Sequence, residues 1–467
     1  MTLIAQNMAA PVAAAGAARV SRGLTRPFLR PVLTPIALAA GLCAALSAQA
    51  QEAAPAPTLA EVTVTGLPLA ADDMAAPVSV LEGEVWQLRR GATLGESLAG
   101  EPGIQATHFG AGASRPVIRG MDGPRVGVLA NGMELHDAST ISPDHAVVTE
   151  PLLAERVEVL RGPAALVHGG AVGGVVNVVD QKIPTALPEN GLEGTAELRW
   201  GSAANERAGV VGLTAGKGPL ALRVEGASRR AGDYRVGSGW AGGRKVDGSF
   251  NETDTGSIGL SWIGSAGYLG LAYTRQQAQY GLPGHTHGFE DCHTHGLGAN
   301  MHLHCGGHGH ADHDDHDHDD HDHDHDHSVP VVDMTSHRWD VRGQWNAPLQ
   351  GIEAVRLRAS HTRYGHDEVE GDAVATRFRN RAHDVRVEVQ HAPLAGWRGV
   401  WGLSTGQRQF SADGEEAYVL PTDTRRLGLF LLEEYTLGDW RFQAALRHDR
   451  QRVQAQHAAQ ERKHHGT

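Results

Sequence analysis

The chain lacks long apolar runs and, over one long stretch, any basic residue. No run of about 20 apolar residues occurs beyond the N-terminus, which excludes helical membrane spans from the mature protein. Between Gly281 and Ser328 there are eleven acidic residues and no Lys or Arg, and this segment supplies most of the net charge of -13. The rest is near neutral, so a general nucleic-acid binder, which needs a basic stripe, is excluded.

Cysteine is also scarce, and the N-terminus predicts that the chain is exported. Four arginines precede an apolar stretch at 31–46, and Ala48-Gln49-Ala50 is a small-residue cleavage site, so residues 1–50 are predicted to be a signal peptide. One of the three cysteines, Cys43, would be lost with it. The other two, Cys292 and Cys305, predict a disulfide in an oxidising compartment. The alternative is a pair of zinc thiolates completed by neighbouring imidazoles. The neighbouring imidazoles are those of His293, His295, His302 and His304.

The most unusual feature that is present is a tract of alternating histidine and aspartate. Nine His and nine Asp lie between His308 and His327. Imidazole and carboxylate oxygen both bind divalent transition metals, so the tract predicts a loop that collects metal ions. Its candidate ligands include His308, His310, His313 and His316. The alternatives are an acidic solvated loop with incidental histidines and a pH-dependent regulator of expression.

Beyond Gly191 the chain alternates apolar and charged residues with a period of two. Trp339, Val341 and Trp345 share one face of a strand, and Arg338 lies on the other. Such alternation over about ten residues predicts membrane strands with lipid outside and a wet lumen inside. We count about eleven or twelve such segments, against about 22 in plugged transporters. The expectation is therefore a chain truncated within its barrel.

Three glycine-rich motifs carry a resemblance to a known family. They are Arg115–Gly120, Glu155–Pro163 and Gly169–Val178, and they resemble the plug domain of TonB-dependent outer-membrane receptors. The segment Leu59–Gly66 resembles a TonB box, with the core residues Glu61, Val62, Thr63, Val64 and Thr65. The resemblance implies an α+β plug domain inside an antiparallel transmembrane β-barrel. The implied parts are a periplasmic segment at 51–66, a plug at 67–187 and barrel strands at 190–467, with a His/Asp-rich extracellular loop at 281–330.

Within that family the sequence is similar to zinc-uptake receptors of the ZnuD type. The similarity lies in Tyr280–His287 with its histidines His285 and His287, in Ser142–Ala146 and in Tyr364–Glu368. It implies a zinc site in which Asp144 and His145 of a plug loop face a barrel loop. The barrel loop offers His366, Asp367 and Glu368, and His136 and Asp137 are second candidates.

The resemblance implies zinc as transported ligand, no organic cofactor, and the TonB complex and outer-membrane lipid as partners. Competing functions are a siderophore or haem receptor, expected to have aromatic or arginine-rich apical loops, and a surface protein that sequesters metal without importing it. An enzyme is the least favoured class because no nucleophile and base constellation is evident. The sequence does not choose between Zn, Cu, Ni and Cd.

Overall fold

The computed structural model describes residues 78–169, 171–238, 243–283, 292–295, 302–305, 329–414, 417, 419–455 and 461–466. The predicted signal peptide and TonB-box-like segment lie outside these residues. So does the 281–330 loop, apart from its two ends and one small hairpin. None of the described helices is long and apolar enough to cross a membrane.

The N-terminal part is a small mixed domain built around a five-stranded sheet. Its strands, in chain order, are β1 (Ser79–Glu82), β2 (Ile104–Ala106), β3 (Pro116–Ile118), β4 (Val126–Ala130), β5 (Met133–Glu134), β6 (Ala154–Leu160) and β7 (Gly174–Asp180). The sheet order is β1-β6-β7-β4-β5, and β2 pairs with β3 separately. Three short helices flank the sheet: α1 (Gly83–Arg89), α2 (Leu94–Leu98) and α3 (Pro163–Leu166). Strand β7, GVVNVVD, is buried on both faces, and its one central polar residue, Asn177, donates to Glu158 at 2.9 Å.

The rest of the chain is one twelve-stranded antiparallel sheet in which neighbours in sequence are neighbours in space. Its first five strands are β8 (Leu192–Gly201), β9 (Glu206–Lys217), β10 (Leu220–Ala231), β11 (Asn251–Gly264) and β12 (Gly267–Gly281). A small hairpin, β13 (Cys292–His295) with β14 (His302–Cys305), follows. The remaining seven strands are β15 (Val331–Leu349), β16 (Ile352–Glu370), β17 (Ala373–Leu394), β18 (Trp397–Gly414), β19 (Thr422–Leu437), β20 (Trp440–Ala455) and β21 (Glu461–Gly466). Twelve strands match the predicted number, and the fold class is confirmed.

The connections between strands are short at one end of this sheet and long at the other. At one end, two-residue connections such as 218–219, 265–266 and 350–351 join the strands. At the other end lie the connections 232–250 and 282–330. Outer-membrane barrels have short periplasmic turns and longer extracellular loops, so the long-loop end corresponds to the extracellular end of such a barrel.

The predicted alternation of apolar and charged residues is present. Its apolar side chains face outward and its charged side chains face inward, which is the reverse of a soluble protein. Trp339 is 46% exposed on the outward face, whereas its neighbours Arg338 and Asp340 are buried on the inward face against the plug. Trp262, Leu271 and many other large apolar side chains are likewise exposed on the outside. Exposed apolar residues and buried charges on the same strands are what a lipid-facing sheet with a filled polar lumen requires.

The plug is held to the sheet by buried polar contacts. The guanidinium groups of Arg386 and Arg447 donate to the carbonyl oxygen of Val167 at 2.9 and 2.7 Å. Lys182, just after β7, lies 3.0 Å from both Asp180 and Asp340 of β15. Burial alone would lower the pKa of Lys182, but the two carboxylates outweigh it and raise the pKa.

Candidate metal centre at the plug–barrel boundary

The plug contributes to the site through a loop between β5 and Pro151. Asp137 braces this loop: its Oδ1 accepts from the backbone N–H of Ser139 at 3.0 Å, and its Oδ2 accepts from that of Val148 at 3.1 Å. These bonds fix the chain on both sides of His145, which is fully buried. The loop therefore presents its imidazole in one orientation.

The same loop is docked on the barrel wall by a tyrosine. The backbone N–H of Ala146 donates to the hydroxyl oxygen of Tyr280 at 2.8 Å, and Tyr280 is buried near the end of β12. The His/Asp-rich segment begins only a few residues later. This hydrogen bond therefore links the plug loop to the strand from which that segment begins.

The barrel contributes through the long-loop end of β16. Successive side chains of a strand point to opposite faces, so His366 and Glu368 both face the lumen, where they are buried. The His366 ring stacks on Phe378 of β17, with ring centroids 4.5 Å apart and an interplanar angle of 13°. Stacking and burial together fix the position of the imidazole.

The three side chains converge on one point. Ligand atoms of His145, His366 and Glu368 all lie within 4.8 Å of one another. Nε2 of His145 is 2.8 Å from Oε1 of Glu368, and Nε2 of His366 is 3.8 Å from the same oxygen. Zinc–ligand bonds of about 2.1 Å in a tetrahedron place neighbouring ligand atoms about 3.4 Å apart. The two distances lie on either side of that value.

Each of the two histidines has a partner at Nδ1, which leaves Nε2 toward the cluster. Nδ1 of His145 contacts Oδ1 of Asp144 and the carbonyl oxygen of Ser142, each at 3.2 Å. Nδ1 of His366 is 2.7 Å from the hydroxyl of Tyr364. Nε2 of His366 is buried and has no hydrogen-bond partner among the described residues. An imidazole fixed at Nδ1, with an unsatisfied buried Nε2, is arranged as a metal ligand would be.

The charge state of His145 reflects its acidic surroundings. Burial alone would lower the pKa of His145, but the hydrogen bonds to Asp144 and Glu368 outweigh it and raise the pKa to about 10. Without a metal ion the imidazole is therefore protonated at neutral pH. A divalent cation that displaces the proton at Nε2 would meet the carboxylate of Glu368 already in place.

The structure brings three of the five predicted residues of this site to one point: His145, His366 and Glu368. Asp144 takes a different place from the one predicted, because its Oδ1 contacts Nδ1 of His145 and the hydroxyl of Ser142. Asp367 does not join the cluster. Its segment was predicted to be a loop but belongs to β16, so its side chain points outward and accepts from Arg377 at 2.7 and 3.0 Å.

The two second candidates have other partners. Nε2 of His136 is hydrogen-bonded to Asp384 of β17. Asp137 is engaged with the backbone of its own loop. Among the predicted ligands of the 281–330 loop, His285, His287, His308, His310, His313 and His316 lie outside the described residues.

Three supporting residues were missed from the sequence: Tyr280, Tyr364 and Phe378. A signal was available for one of them, because Tyr364 precedes His366 by two residues and shares its face. Tyr280 and Phe378 come from β12 and β17, and only the strand register brings them to the site.

Comparison with known proteins identifies the plug domain and the fold. Residues 70–175 match the TonB-dependent Receptor Plug Domain. With the lipid-facing antiparallel sheet that follows, the chain has the plug domain and the fold of a TonB-dependent outer-membrane receptor.

Particular relatives share parts of it. Over 155 residues the chain is 30% identical to the vitamin B12 transporter BtuB of Photobacterium profundum, covering 32% of this chain and 25% of the relative. The copper transporter OprC superposes with a TM-score of 0.64 at 16% identity, over 86% of this chain and 60% of OprC. The FrpB iron transporter from Neisseria meningitidis superposes with a TM-score of 0.63 at 13% identity, over 83% of this chain and 60% of FrpB. These relatives are named as transporters, not enzymes.

Proposed function

We propose that this chain acts as a TonB-dependent outer-membrane receptor that imports zinc, or another divalent transition metal, into the periplasm. The observation that carries the proposal is the convergence of two imidazole Nε2 atoms on the carboxylate of Glu368 in a buried space. The Nε2 atom of His366 has no other partner among the described residues. Two imidazoles and a carboxylate form a ligand set that suits zinc.

The division of the ligands between two domains supports transport over storage. His145 belongs to the plug, whereas His366 and Glu368 belong to the barrel wall. A displacement of the plug would remove one ligand and lower the affinity at the moment of release. Three protein ligands also leave one tetrahedral position for a water or an incoming ligand, which permits exchange.

The place where the His/Asp-rich segment is attached supports the same function. It leaves β12 next to Tyr280 and returns into β15, in which Met334 pairs with His366 and Val332 with Glu368. The two ends of the segment therefore lie on the strands that border the buried cluster. The register of β13 and β14 sets Cys292 opposite Cys305, as a cross-strand disulfide would need, and the disulfide remains a prediction.

The size of the cluster favours a bare ion over an organic complex. Ligand atoms within 4.8 Å of one another enclose one metal ion and leave no room between them for a chelator. The relatives named for vitamin B12, copper and iron show how varied the cargo of this fold is. Zinc is our choice because imidazole and carboxylate ligands are common at zinc sites, although the divalent affinity order places copper above zinc at such sites.

Uptake of radioactive zinc by cells that express the chain tests the proposal. We expect energy-dependent uptake that is lost when Leu59–Gly66 is deleted and strongly reduced by His366→Ala. The matched control is His361→Ala, a histidine on the outward face of the same strand. If deletion of Leu59–Gly66 leaves cell-associated zinc unchanged, the chain sequesters metal at the surface and does not import it. Equal uptake by both histidine variants would show that the cluster is not on the route.

A further inference from the structure

A second space between the plug and the barrel wall lies apart from the metal cluster. It is a cavity of about 620 Å³, bounded by β4, β5 and the residues after α3 on the plug side and by β17–β20 on the wall side. Its β17 residues, Asp384 to Arg386, follow Phe378 along a strand that runs away from the long-loop end. The cavity therefore lies on the short-turn side of the metal cluster, and it does not use the three proposed metal ligands.

A buried histidine on the plug side of this cavity is unusual. His168 follows α3, is only 9% exposed and lines the cavity. Neither its Nδ1 nor its Nε2 has a hydrogen-bond partner among the described residues. Burial, and next to it the charge of Arg386, hold the pKa of His168 well below its ordinary value, so the ring is neutral and carries one N–H donor. Because buried polar groups are nearly always hydrogen-bonded, His168 is placed to bind a polar ligand.

The wall side of the cavity brings guanidinium groups to the same point. Arg386 and Arg447 both donate to the carbonyl oxygen of Val167, the residue before His168, at 2.9 and 2.7 Å. The two guanidinium groups therefore meet beside the imidazole. Nη2 of Arg386 is buried and, within the described part of the chain, has no hydrogen-bond partner either. With its two N–H bonds and the one of His168, three donors lie next to one another.

The charge of the cavity is positive. Among the described residues that line it, arginines outnumber carboxylates by two. Just outside it, Arg358 and Glu388 form an ion pair and add no net charge. The lining arginines are Arg386, Arg408, Arg426, Arg447 and Arg450, and the lining carboxylates are Glu134, Asp384 and Asp449. Buried charge requires a partner of opposite sign, so the excess favours a ligand with two negative charges and disfavours a bare metal ion.

We infer that this cavity binds a phosphate group through His168 and Arg386. A phosphate presents three oxygens to the three donors, whereas a carboxylate presents two. Guanidinium groups bind phosphate in a bidentate manner through charge-assisted hydrogen bonds. The cavity is larger than a phosphate ion, so the group is either free inorganic phosphate or the phosphate of a small monoester. The bound anion would also hold the plug to the wall, because His168 belongs to the plug and Arg386 to β17.

Calorimetric titration of the purified full-length chain, in a non-ionic detergent and without added metal, tests this inference. Inorganic phosphate, glycerol 3-phosphate and acetate are compared at equal ionic strength set with chloride. We expect saturable binding of phosphate and at least tenfold weaker binding of acetate. His168→Leu should bind phosphate at least tenfold more weakly, since it loses a hydrogen bond to a charged group. His108→Leu, at an exposed histidine of the plug, is the matched control and should bind as the wild type does.

The outcomes separate a phosphate site from general attraction of anions. Tighter binding of glycerol 3-phosphate than of inorganic phosphate would identify a monoester as the ligand, and the reverse order would identify the free ion. Equal binding of acetate and phosphate would overturn the inference, as would the absence of saturable phosphate binding or an unchanged affinity in His168→Leu. The thermal midpoint of His168→Leu without phosphate should equal or exceed that of the wild type, because the variant removes a buried group without a partner. Its loss of binding is therefore distinct from unfolding.

Discussion

Two buried glutamates on neighbouring strands of the lumen wall have opposite surroundings. Glu368 of β16 lies among imidazoles, within hydrogen-bond distance of His145 and 3.8 Å from His366. Glu388 of β17 lies between two guanidinium groups and is hydrogen-bonded to Arg358 and, at 2.8 Å, to Arg386. Imidazole can lose its proton and bind a metal, whereas guanidinium stays protonated and has no free lone pair. We therefore propose metal binding for Glu368, whereas Glu388 holds Arg386, which donates to the plug at Val167.

The largest expected effect is on stability at Glu388. Glu388→Ala would leave Arg358 and Arg386 buried without their shared carboxylate, at a cost of about 3–5 kcal/mol. Urea unfolding of the purified protein should show it as a lower midpoint. The matched control is Asp367→Asn, which removes an exposed carboxylate of β16 and should leave the midpoint nearly unchanged. A stable Glu388→Ala variant would mean that the arginine pair does not fasten the plug.

The second effect is on metal affinity at Glu368. Glu368→Gln and His145→Ala each remove one of three ligands, so the affinity for zinc should fall by about a hundredfold or more. Calorimetry on protein without residues 285–327 isolates the buried site from the His/Asp-rich segment. Asp367→Asn, one residue away on the opposite face, should bind zinc as the wild type does. Equal zinc affinities of Glu368→Gln and Asp367→Asn would show that the cluster is not the binding site.

Asp144 should have a smaller effect because it acts through His145. Its contact with Nδ1 orients the imidazole, and loss of such a partner typically lowers metal affinity by about 10- to 100-fold. We expect Asp144→Asn at the lower end of that range, since the amide oxygen can still accept a hydrogen bond. The same calorimetric titration measures it, and an effect as large as that of His145→Ala would make Asp144 a direct ligand.

The pH dependence follows from the raised pKa of His145, about 10. Because this imidazole is protonated at neutral pH and must be neutral to bind zinc, each bound ion displaces its proton. The affinity should therefore rise by about tenfold per pH unit between pH 6 and 8. In His145→Ala the slope should be smaller, while in His361→Ala it should be unchanged. An equal slope in all three proteins would contradict the assignment of His145.

The strands were predictable from the sequence, and the composition of the site was only partly so. The alternation of apolar and charged residues over Trp339–Trp345 is strong enough to predict a strand and to predict which side chains share a face. It is strong because lipid on one side and the plug on the other require side chains of opposite polarity. The same period of two excludes Asp367 from the site once its segment is known to be a strand. The prediction of a loop there was wrong because β16 continues beyond the apolar band. Its polar end lacks the outward apolar side chains by which a membrane strand is recognised in a sequence.

The contacts between distant strands could not be predicted. Tyr280 binding to Ala146 and Phe378 stacking on His366 depend on register and on the depth to which the plug enters the barrel. Neither leaves a local pattern in the sequence. The two environments of Glu368 and Glu388 differ for the same reason, because their decisive partners, His145 and Arg358, lie on other segments of the chain.

The most direct test of the central claim is X-ray absorption at the zinc edge on protein that lacks residues 285–327 and is loaded with one equivalent of zinc. The account predicts two imidazole nitrogens and carboxylate oxygen at about 2.0–2.2 Å in a four-coordinate shell. In the His145→Ala/His366→Ala variant the imidazole scattering should disappear. A shell of oxygen atoms alone in the parent protein, or an identical spectrum in that variant, would contradict the claim that the plug and the barrel wall hold the metal between them.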